Sequence, residues 1–474
     1  MKRNLTLILG VLFCLSGCTM IPQYTRPEAP VSAAWPSGPA YKETAAAPGA
    51  AEAADLPWRE FFIDDRLQKV IDTALKNNRD LRVAALNVER ARGLYRVQRA
   101  DLLPKVETNS TAYKQRVRIS GATDSGLVTL EEYSVNLGVT SWEVDFFGRI
   151  RSLSKKSLEE YFATEHARRS AQILLVSEVA NAYLTLAADR ENLKLAQSTL
   201  ESQQAAYNLI RRRFEVGIAQ ELDLRQVQTR VDAARVDVAR YTELAAQDEN
   251  ALTLLAGGPV AADLLPGELS AVKPLRDVSP GTPSEVLLRR PDILQAEHTL
   301  KAANANIGAA RAAFFPRISL TTAVGSASGD LSGLFKSGTF IWSYSPQIVL
   351  PIFDARTWSA LTVSKVDREI ALTQYEKAIQ GAFKEVADAL ARKGTLGDQM
   401  AAQQSLLEAT DKTYRLSNAR YAKGIDIYLN VLDAQRSLYS AQQGLISIRL
   451  AKLSNQVRLY AVLGGGGGPG GPPY

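Results

Sequence analysis

Cysteine and histidine are scarce in this 474-residue chain, which contains two of each. Cys14 lies in an N-terminal segment that we expect to be removed, so the mature chain would keep Cys18 alone and form no disulfide. His166 and His298 each lie in a charged helical stretch, without Cys, Asp or Glu at metal-ligand spacing. No acid–base pair can be identified among the other residues. The sequence therefore favours a protein that is not an enzyme and binds no cofactor.

Long hydrophobic runs are also missing. After the N-terminal segment, no window of ~18 or more uncharged apolar residues occurs, so no membrane-spanning helix is predicted. The apolar stretch at residues 5–15 is itself too short to span a bilayer. If the chain crosses a membrane, it must do so with strands, whose backbone groups are satisfied only in a closed barrel.

The chain also lacks a strong excess of one charge. It has 56 basic and 50 acidic residues, interspersed throughout, which is typical of solvated helix faces. The one local basic cluster, Arg211-Arg212-Arg213, is not accompanied by an aromatic ladder. Nucleic-acid binding is therefore not expected.

The N-terminus resembles a bacterial lipoprotein signal. Lys2 and Arg3 precede the apolar stretch, which ends in Leu15-Ser16-Gly17-Cys18, similar to a lipobox. In a lipobox the cysteine receives a diacylglyceryl group before cleavage, and its new N-terminus is then acylated. We therefore expect Cys18 to carry covalent diacylglycerol and palmitate. Thr19 favours sorting to the outer membrane, and an ordinary secretory signal is the alternative.

The sequence is internally duplicated, which is best established before any fold is assigned. A shift of 212 residues places residues 78–105 on residues 290–317 without a gap. A shift of 207 then superposes the later parts, so that Glu178-Val179-Ala180 matches Glu385-Val386-Ala387. Gly217-Ile218 likewise matches Gly424-Ile425. We therefore predict two homologous structural halves.

Each half is predicted to contain a helix (about 64–103 in the first half), two strands and two long helices, giving a mostly α member of the α+β class. Period-two alternation predicts the strands, at about 104–116, 131–145, 316–327 and 341–352. Heptad-like spacing predicts the long helices, at about 148–213, 221–256, 356–420 and 428–463. The predicted segments are a signal peptide at 1–17, a lipidated extended segment at 18–62, repeats at 63–270 and 271–464, and a flexible tail at 465–474.

Assembly is predicted from the small number of strands. Four strands cannot close a barrel, and an open sheet edge in lipid leaves unpaired backbone groups costing several kcal/mol each. Bacterial barrels begin at about eight strands, so two or more chains must share one wall. Apolar heptad seams on the long helices also require partner helices, and closed symmetric rings are the usual solution.

Several runs resemble the TolC-like outer-membrane factor family of tripartite efflux pumps, in particular its OprM-like lipoprotein branch. The resemblance implies a homotrimer with a 12-stranded outer-membrane β-barrel that continues into a periplasmic α-helical barrel in a Gram-negative bacterium. It also implies a periplasmic adaptor protein, an inner-membrane RND-type pump, and export of antibiotics and other small toxic compounds. The runs that carry the resemblance are Trp58–Phe62, Asn77–Arg82, Glu143–Arg149, Arg290–Ile293 and Ile307–Pro316.

The resemblance further implies a gate at the periplasmic tip, where two turns join the long helices. It assigns Leu429 and Asp433 to apolar and acidic rings that close the pore, on one helix face with Ile425. Some relatives carry a second acid where this chain has Asn430. The residues implied in tethering the gate are Asp223, Arg420 and Tyr421, and those implied in the tip turns and adaptor docking are Gly217, Ile218 and Gly424.

Two other functions fit the same pattern. One is an outer-membrane channel for type I protein secretion, which differs only in its cargo. The other is a coiled-coil lipoprotein scaffold without a pore. A bilayer recording separates a channel from a scaffold, and drug susceptibility of a deletion strain separates the two export roles. Efflux of small molecules is the favoured function, because members of the lipoprotein branch mostly assemble with drug pumps.

Overall fold

A computed structural model describes residues 19–42, 53–120, 125–273 and 275–466, and Cys18 lies outside them. The strands are β1 (Val106–Ser120), β2 (Ser125–Glu143), β3 (Arg317–Ser328) and β4 (Phe340–Val349). The helices before β3 are α1 (Trp58–Phe61), α2 (Asp65–Asn77), α3 (Arg79–Ala100), α4 (Arg149–Glu215), α5 (Glu221–Ala256), α6 (Pro283–Arg289) and α7 (Pro291–Ala312). Those after β4 are α8 (Ala355–Ala422) and α9 (Tyr428–Val462).

The order of elements repeats, as the duplication predicts. In each half a helix leads into two antiparallel strands and then into two long helices joined by a short turn. Short 3₁₀ turns occur at Ala53–Asp55, Ala262–Leu264, Leu269–Ala271 and Leu331–Gly333. The first of these turns and α1 lie within the segment 18–62, which was expected to be extended throughout.

The helix expected over about 64–103 is broken at Asn78. The backbone of Asn78 is extended (φ −61°, ψ 131°), and its side-chain oxygen accepts a hydrogen bond from the Leu81 N–H at 2.9 Å. Its amide nitrogen donates to the Leu255 carbonyl at 3.0 Å. Asn78 therefore ends α2, caps α3 and ties both to the end of α5.

The first hairpin is longer than predicted. β2 begins at Ser125 rather than near 131, and β1 continues to Ser120 rather than 116. The apolar alternation used for the prediction stops at Glu131 and Glu132. In the structure Glu131 lies opposite Lys114 and forms an ion pair with it, so the charges are accommodated across the two strands.

The chain divides into two compact units, a sheet unit and a helical unit. The sheet unit contains the four strands and the described residues within 19–28, 87–165 and 295–375. Its four strands are antiparallel in the order β1-β2-β3-β4. A bulge interrupts the register between Val139 and Trp142, where Ser141 has a φ of 51° and donates its N–H to Thr321 Oγ1 at 3.1 Å. The extra residue keeps the Trp142 side chain on the same face as Val139.

The two faces of the sheet differ in chemistry. Alternation and register place the predicted apolar residues together on one face, here called the apolar face. It carries Val106, Ala112, Tyr133, Val135, Leu137, Val139, Trp142, Ile318, Leu320, Val324, Phe340, Trp342, Tyr344 and Ile348. The opposite face carries small or polar residues over most of its length, namely Glu107, Asn109, Thr111, Glu132, Ser134, Asn136, Ser319, Thr321, Ser343, Ser345 and Gln347. It also carries Ile341 and Val349 on β4, and Tyr113, Val117, Val128 and Leu130 toward the β1–β2 connection. Such a division suits lipid on one side and water on the other.

Charged residues fix the start of α4 beneath the sheet. Arg149 donates to Glu143 at 2.8 Å, and Arg317 from β3 reaches the same carboxylate at 2.7 Å. Asp145 accepts from the backbone N–H groups of Ile150 and Arg151 at 3.2 and 2.8 Å. The Glu143–Arg149 run therefore serves as a structural junction between strand and helix.

An N-terminal strap, residues 19–26, lies along α7. A Cβ at Gly308 would be only 2.6 Å from the Ile21 side chain, so this glycine leaves the space that Ile21 occupies. Asn304 donates its side-chain amide to the Pro22 carbonyl at 2.8 Å. Arg26 pairs at 2.5 Å with Glu297, whose side chain is only 2% exposed. The strap is therefore held by both packing and a buried charge pair.

The helical unit contains the main hydrophobic core. Phe61 and Phe62 of the Trp58–Phe62 run are fully buried. The ring of Phe61 stacks on Tyr460 of α9, with centroids 4.0 Å apart and planes 5° apart. The Tyr460 hydroxyl donates to the Leu56 carbonyl at 2.6 Å. This run therefore anchors the segment before α2 to the end of the chain.

The seam predicted on α5 is buried. Asp248, which interrupts its apolar spacing, lies close to Asp189 of α4. Burial, together with the charge of Asp189, raises the pKa of Asp248 to about 6. The buried seam residues are Val227, Val231, Ala234, Tyr241, Ala245 and Leu252.

One helix within the described residues, α4, is long and apolar enough to cross a membrane by length and composition, with up to two charges allowed in its most apolar window. However, 56% of that window is buried inside the chain. Leu184 and Leu186 from this helix are fully buried in the core. Such burial inside the chain is typical of a helix in a protein core.

Candidate functional site: the paired helical turns

The α4–α5 and α8–α9 turns share one backbone geometry. Gly217 (φ 78°) and Gly424 (φ 73°) adopt the left-handed conformation that favours glycine. The amide after each glycine donates to the carbonyl five residues earlier, at 2.8 Å in the first turn and 3.0 Å in the second. This is the Schellman ending of a helix, and it reverses the chain within a few residues.

A cation and a hydroxyl join the two turns. Arg213 of α4 donates from Nη1 to the Tyr421 hydroxyl of α8 at 2.8 Å, and its guanidinium lies 5.7 Å from the centre of that ring. The Tyr421 ring also packs against Tyr428, with centroids 4.9 Å apart. Burial, with Tyr421 nearby, raises the pKa of Tyr428 to about 12, so its phenol stays neutral. The first helical hairpin is therefore tied to the second.

A second tie closes the α8–α9 turn on itself. Arg420 donates to both carboxylate oxygens of Asp426, at 2.6 and 3.3 Å. The hydrogen bond from Arg420 holds the pKa of the Asp426 carboxyl below its usual value. Asp426 is therefore ionised at neutral pH, and the planar guanidinium matches its two oxygens.

Asp223 lies in the first turn of α5. Its carboxylate accepts from the Gln220 backbone N–H at 3.4 Å, in a capping box at the start of α5. Within this chain the structure brings Tyr421 to Arg213 and Arg420 to Asp426. Asp223 caps its own helix, so its role in tethering the gate stays a prediction.

Of the implied constriction residues, Leu429, Asn430 and Asp433 lie in α9, whereas Ile425 lies in the turn before it. The prediction that Ile425 shares a helix face with Leu429 and Asp433 is therefore wrong, because the helix begins only at Tyr428. Ile425 is 59% exposed and Leu429 is 40% exposed. Asp433, whose carboxylate is half-exposed, pairs with Arg436 of the same helix at 3.4 Å. The Asn430 backbone N–H donates to the Ile427 carbonyl at 3.3 Å in the first turn of α9. An acidic ring built on Asp433 would therefore have a basic residue one helical turn away.

Both turns expose large apolar side chains. Ile218 at the first turn is 76% exposed and Ile427 at the second is 64% exposed. Val216 and Leu222 extend this apolar surface around the first turn. Apolar groups clustered at the ends of two helical hairpins are suited to contact with another protein.

Sequence reasoning missed three residues of this site: Arg213, Asp426 and Tyr428. In the sequence Arg213 stands out only as part of a basic cluster, because its partner Tyr421 lies 208 residues away. The 207-residue repeat carried a usable signal, because it aligns Arg213 with Arg420 and thus places an arginine before each turn. Asp426, six residues after Arg420, is the acid within reach of that arginine.

The described residues contain no group of three or more His, Cys, Asp or Glu side chains that could hold a metal ion. His298 lies 2.6 Å from the Glu159 carboxylate, which also pairs with Lys155. This histidine belongs to a charged contact between α4 and α7.

The fold and the turns define a class. The chain combines one four-stranded sheet with two long helical hairpins. This mostly helical fold with a small sheet is that of the TolC-like channels. A model of the family "OEP: Outer membrane efflux protein" matches residues 70–258 and again residues 282–465. The chain belongs to this outer membrane efflux protein family.

Similar proteins extend over nearly the whole chain. It is 51% identical over 470 residues to the probable efflux pump outer membrane protein TtgC of Pseudomonas putida, covering 98% of this chain and 96% of that protein. A membrane protein of Pseudomonas aeruginosa of known crystal structure is 39% identical, with a TM-score of 0.87 and coverage of 94% and 100%. The open-state MtrE outer membrane channel of Neisseria gonorrhoeae is also 39% identical, with a TM-score of 0.84 and coverage of 95% and 98%.

The family establishes the location and general role of the chain. It is an outer-membrane channel protein of an efflux system and is not an enzyme. The structural neighbours are trimeric. The predictions of family, fold class, function and localisation are thus confirmed.

Proposed function

We propose that three copies of this chain form the exit duct of a tripartite efflux pump. The observation that carries the proposal is the four-stranded sheet. Among the described residues, β1 pairs only with β2 and β4 only with β3, so both edges carry unpaired backbone groups. With the apolar face toward lipid, these groups must pair with strands of other copies. Three such sheets supply the twelve strands of one barrel with a polar interior.

The partners that we propose are a periplasmic adaptor protein and an inner-membrane RND-type pump. The exposed Ile218 and Ile427 offer an apolar docking surface on which a partner's helical hairpins could pack. The relatives' names refer to efflux, several of them to toluene and one to antibiotics. Small toxic compounds and antibiotics are therefore the proposed cargo.

We also propose that Cys18 carries the lipid anchor, with covalent diacylglycerol and palmitate. The strap that begins at Thr19 is fixed on α7 by Ile21 and Arg26, which supports an anchor immediately before it. Cells grown with radioactive palmitate should label the wild-type protein, whereas Cys18→Ser should remain unlabelled. A wild-type chain without label, or a labelled Cys18→Ser chain, would contradict this assignment.

The gate is proposed to be held shut by the ties at the paired turns. Replacing Arg213 and Arg420 together by alanine removes the bond between the hairpins and the bond within the second turn. Since both ties repeat in every copy, the open fraction should rise about fivefold or more. With purified protein in planar bilayers, the rise in open fraction would be measured as an increase in mean current. In intact cells it would be measured as greater entry of vancomycin.

The matched control removes the same number of positive charges elsewhere, from α4 and α5. Arg211 pairs with Glu215 and Arg225 with Glu221, each pair within one helix, so Arg211→Ala with Arg225→Ala should leave the current unchanged. Equal currents in the tie variant and the wild type would contradict the gate. A protein that forms no pore would contradict the channel itself, and a deletion strain that loses a secreted protein but keeps its drug resistance would point to protein secretion.

A further inference from the structure

A row of basic side chains continues the apolar face beyond its aromatic residues. Lys114, Arg116 and Arg118 occupy alternate positions of β1, on the same side as Ala112. Alternate residues of a strand are about 7 Å apart, so the three charges form a line of ~14 Å. Lys114, Arg116 and Arg118 are here called the basic ridge, and all three are exposed.

The basic ridge lies at the end of the sheet remote from the helices. β1 follows α3 and β2 leads into α4, so the connection between β1 and β2 is at the opposite end of the hairpin. Tyr133, opposite Ala112, is the first residue of β2 in chain order that pairs with β3. Residues beyond it, including the basic ridge, therefore extend past the rest of the sheet.

The aromatic residues relate this position to the membrane. Three aromatic residues lie on the apolar face near the level at which β3 ends and β4 begins: Tyr133, Phe340 and Trp342. Aromatic side chains at such a place mark the boundary between lipid tails and headgroups. Lys114 is one alternate position beyond Tyr133, so in the barrel proposed above the basic ridge would reach into the headgroup layer on the outer side.

The charge of the basic ridge is only partly balanced. Lys114 forms an ion pair with Glu131. Arg116, in contrast, lies opposite Thr129, and Arg118 lies opposite Leu127. Among the described residues of the hairpin, neither arginine thus faces an acid across the strands.

We propose that the basic ridge binds the phosphate groups of the glycolipid that forms the outer leaflet of the outer membrane. Guanidinium groups recognise phosphate through two parallel hydrogen bonds, and desolvation at the headgroup layer strengthens this contact. This inference rests on the proposed barrel, in which the basic ridge lies on the side of the sheet that faces lipid tails, and the lipid is therefore the fitting partner. A phosphate dissolved in the channel would meet the opposite face.

Binding of lipid A to the full-length protein tests the proposal. Protein reconstituted in nanodiscs would be titrated with bisphosphorylated lipid A and, separately, with lipid A from which both phosphates have been removed. Arg116→Gln with Arg118→Gln should weaken binding of the phosphorylated lipid about tenfold, since both bidentate contacts are lost. Arg116→Lys with Arg118→Lys should recover part of it, and phosphate-free lipid A should bind all variants equally weakly.

The control replaces two arginines on α5, Arg235→Gln with Arg240→Gln, which pair with Asp232 and Asp237. This variant should bind lipid A like the wild type. Equal binding by the basic-ridge variant and the wild type would overturn the proposal, as would equal loss for phosphorylated and phosphate-free lipid. Single-channel current of the basic-ridge variant should stay normal, so failure of this test is distinguishable from failure of the proposed duct.

Discussion

Phe61→Ala should lower the free energy of unfolding of the helical unit by about 3–5 kcal/mol, the range found for truncating a buried phenylalanine. The ring is fully buried between Phe62 and Tyr460. Its loss removes both the apolar burial and a stacked aromatic pair, which adds about 0.5–1.5 kcal/mol. Because Tyr460 lies near the end of α9, the amides of that region should exchange hydrogen faster.

Denaturant unfolding of the solubilised protein and hydrogen exchange would measure these effects. The control is Phe335→Ala, since that side chain is 79% exposed and its truncation leaves no cavity. The proposed anchoring role of the Trp58–Phe62 run would be refuted if the two variants unfolded at the same denaturant concentration.

Gly257→Ala should also destabilise the helical unit strongly, by about 2–5 kcal/mol. Gly257 has a φ of 73°, which costs an alanine about 1–2 kcal/mol. A Cβ at this position would be 2.3 Å from the Asn77 carbonyl oxygen, and relief of such overpacking adds typically 1–3 kcal/mol. The clash would separate the end of α5 from the junction of α2 and α3.

The adjacent Gly258 provides the matched control for this substitution. A Cβ there meets nothing within 4 Å, so Gly258→Ala should change the free energy of unfolding by less than about 0.5 kcal/mol. Thermal unfolding of both variants in the same detergent gives the comparison. Similar midpoints for the two would contradict the close approach of Asn77 to Gly257.

The sequence was sufficient for the parts of the fold that repeat a local pattern. Val227, Val231 and Ala234 are buried on α5 because heptad spacing places them on one side of a helix. The strands β3 and β4 were predicted to within two or three residues, since their alternation is unbroken.

Features that depend on distant partners were not accessible in the same way. The break at Asn78 depends on the Leu255 carbonyl, and neither residue alone signals a helix end. The early start of β2 depends on Glu131 meeting Lys114 on the neighbouring strand. At the turns, glycine spacing predicted the chain reversal, whereas the ties depend on residues brought together by packing of the two halves.

Duplication has given the two turns one backbone, but their side chains differ, and the first turn has Ala219 where the second has Asp426. Phe214 occupies the position in the first half that Tyr421 occupies in the second, so a reciprocal bond from Arg420 to Phe214 cannot form. Arg420 holds Asp426 instead, while its counterpart Arg213 reaches across to Tyr421. The two matching arginines therefore divide two tasks, one joining the two helical hairpins of the chain and the other closing its own turn, so the same substitution has different consequences in the two halves.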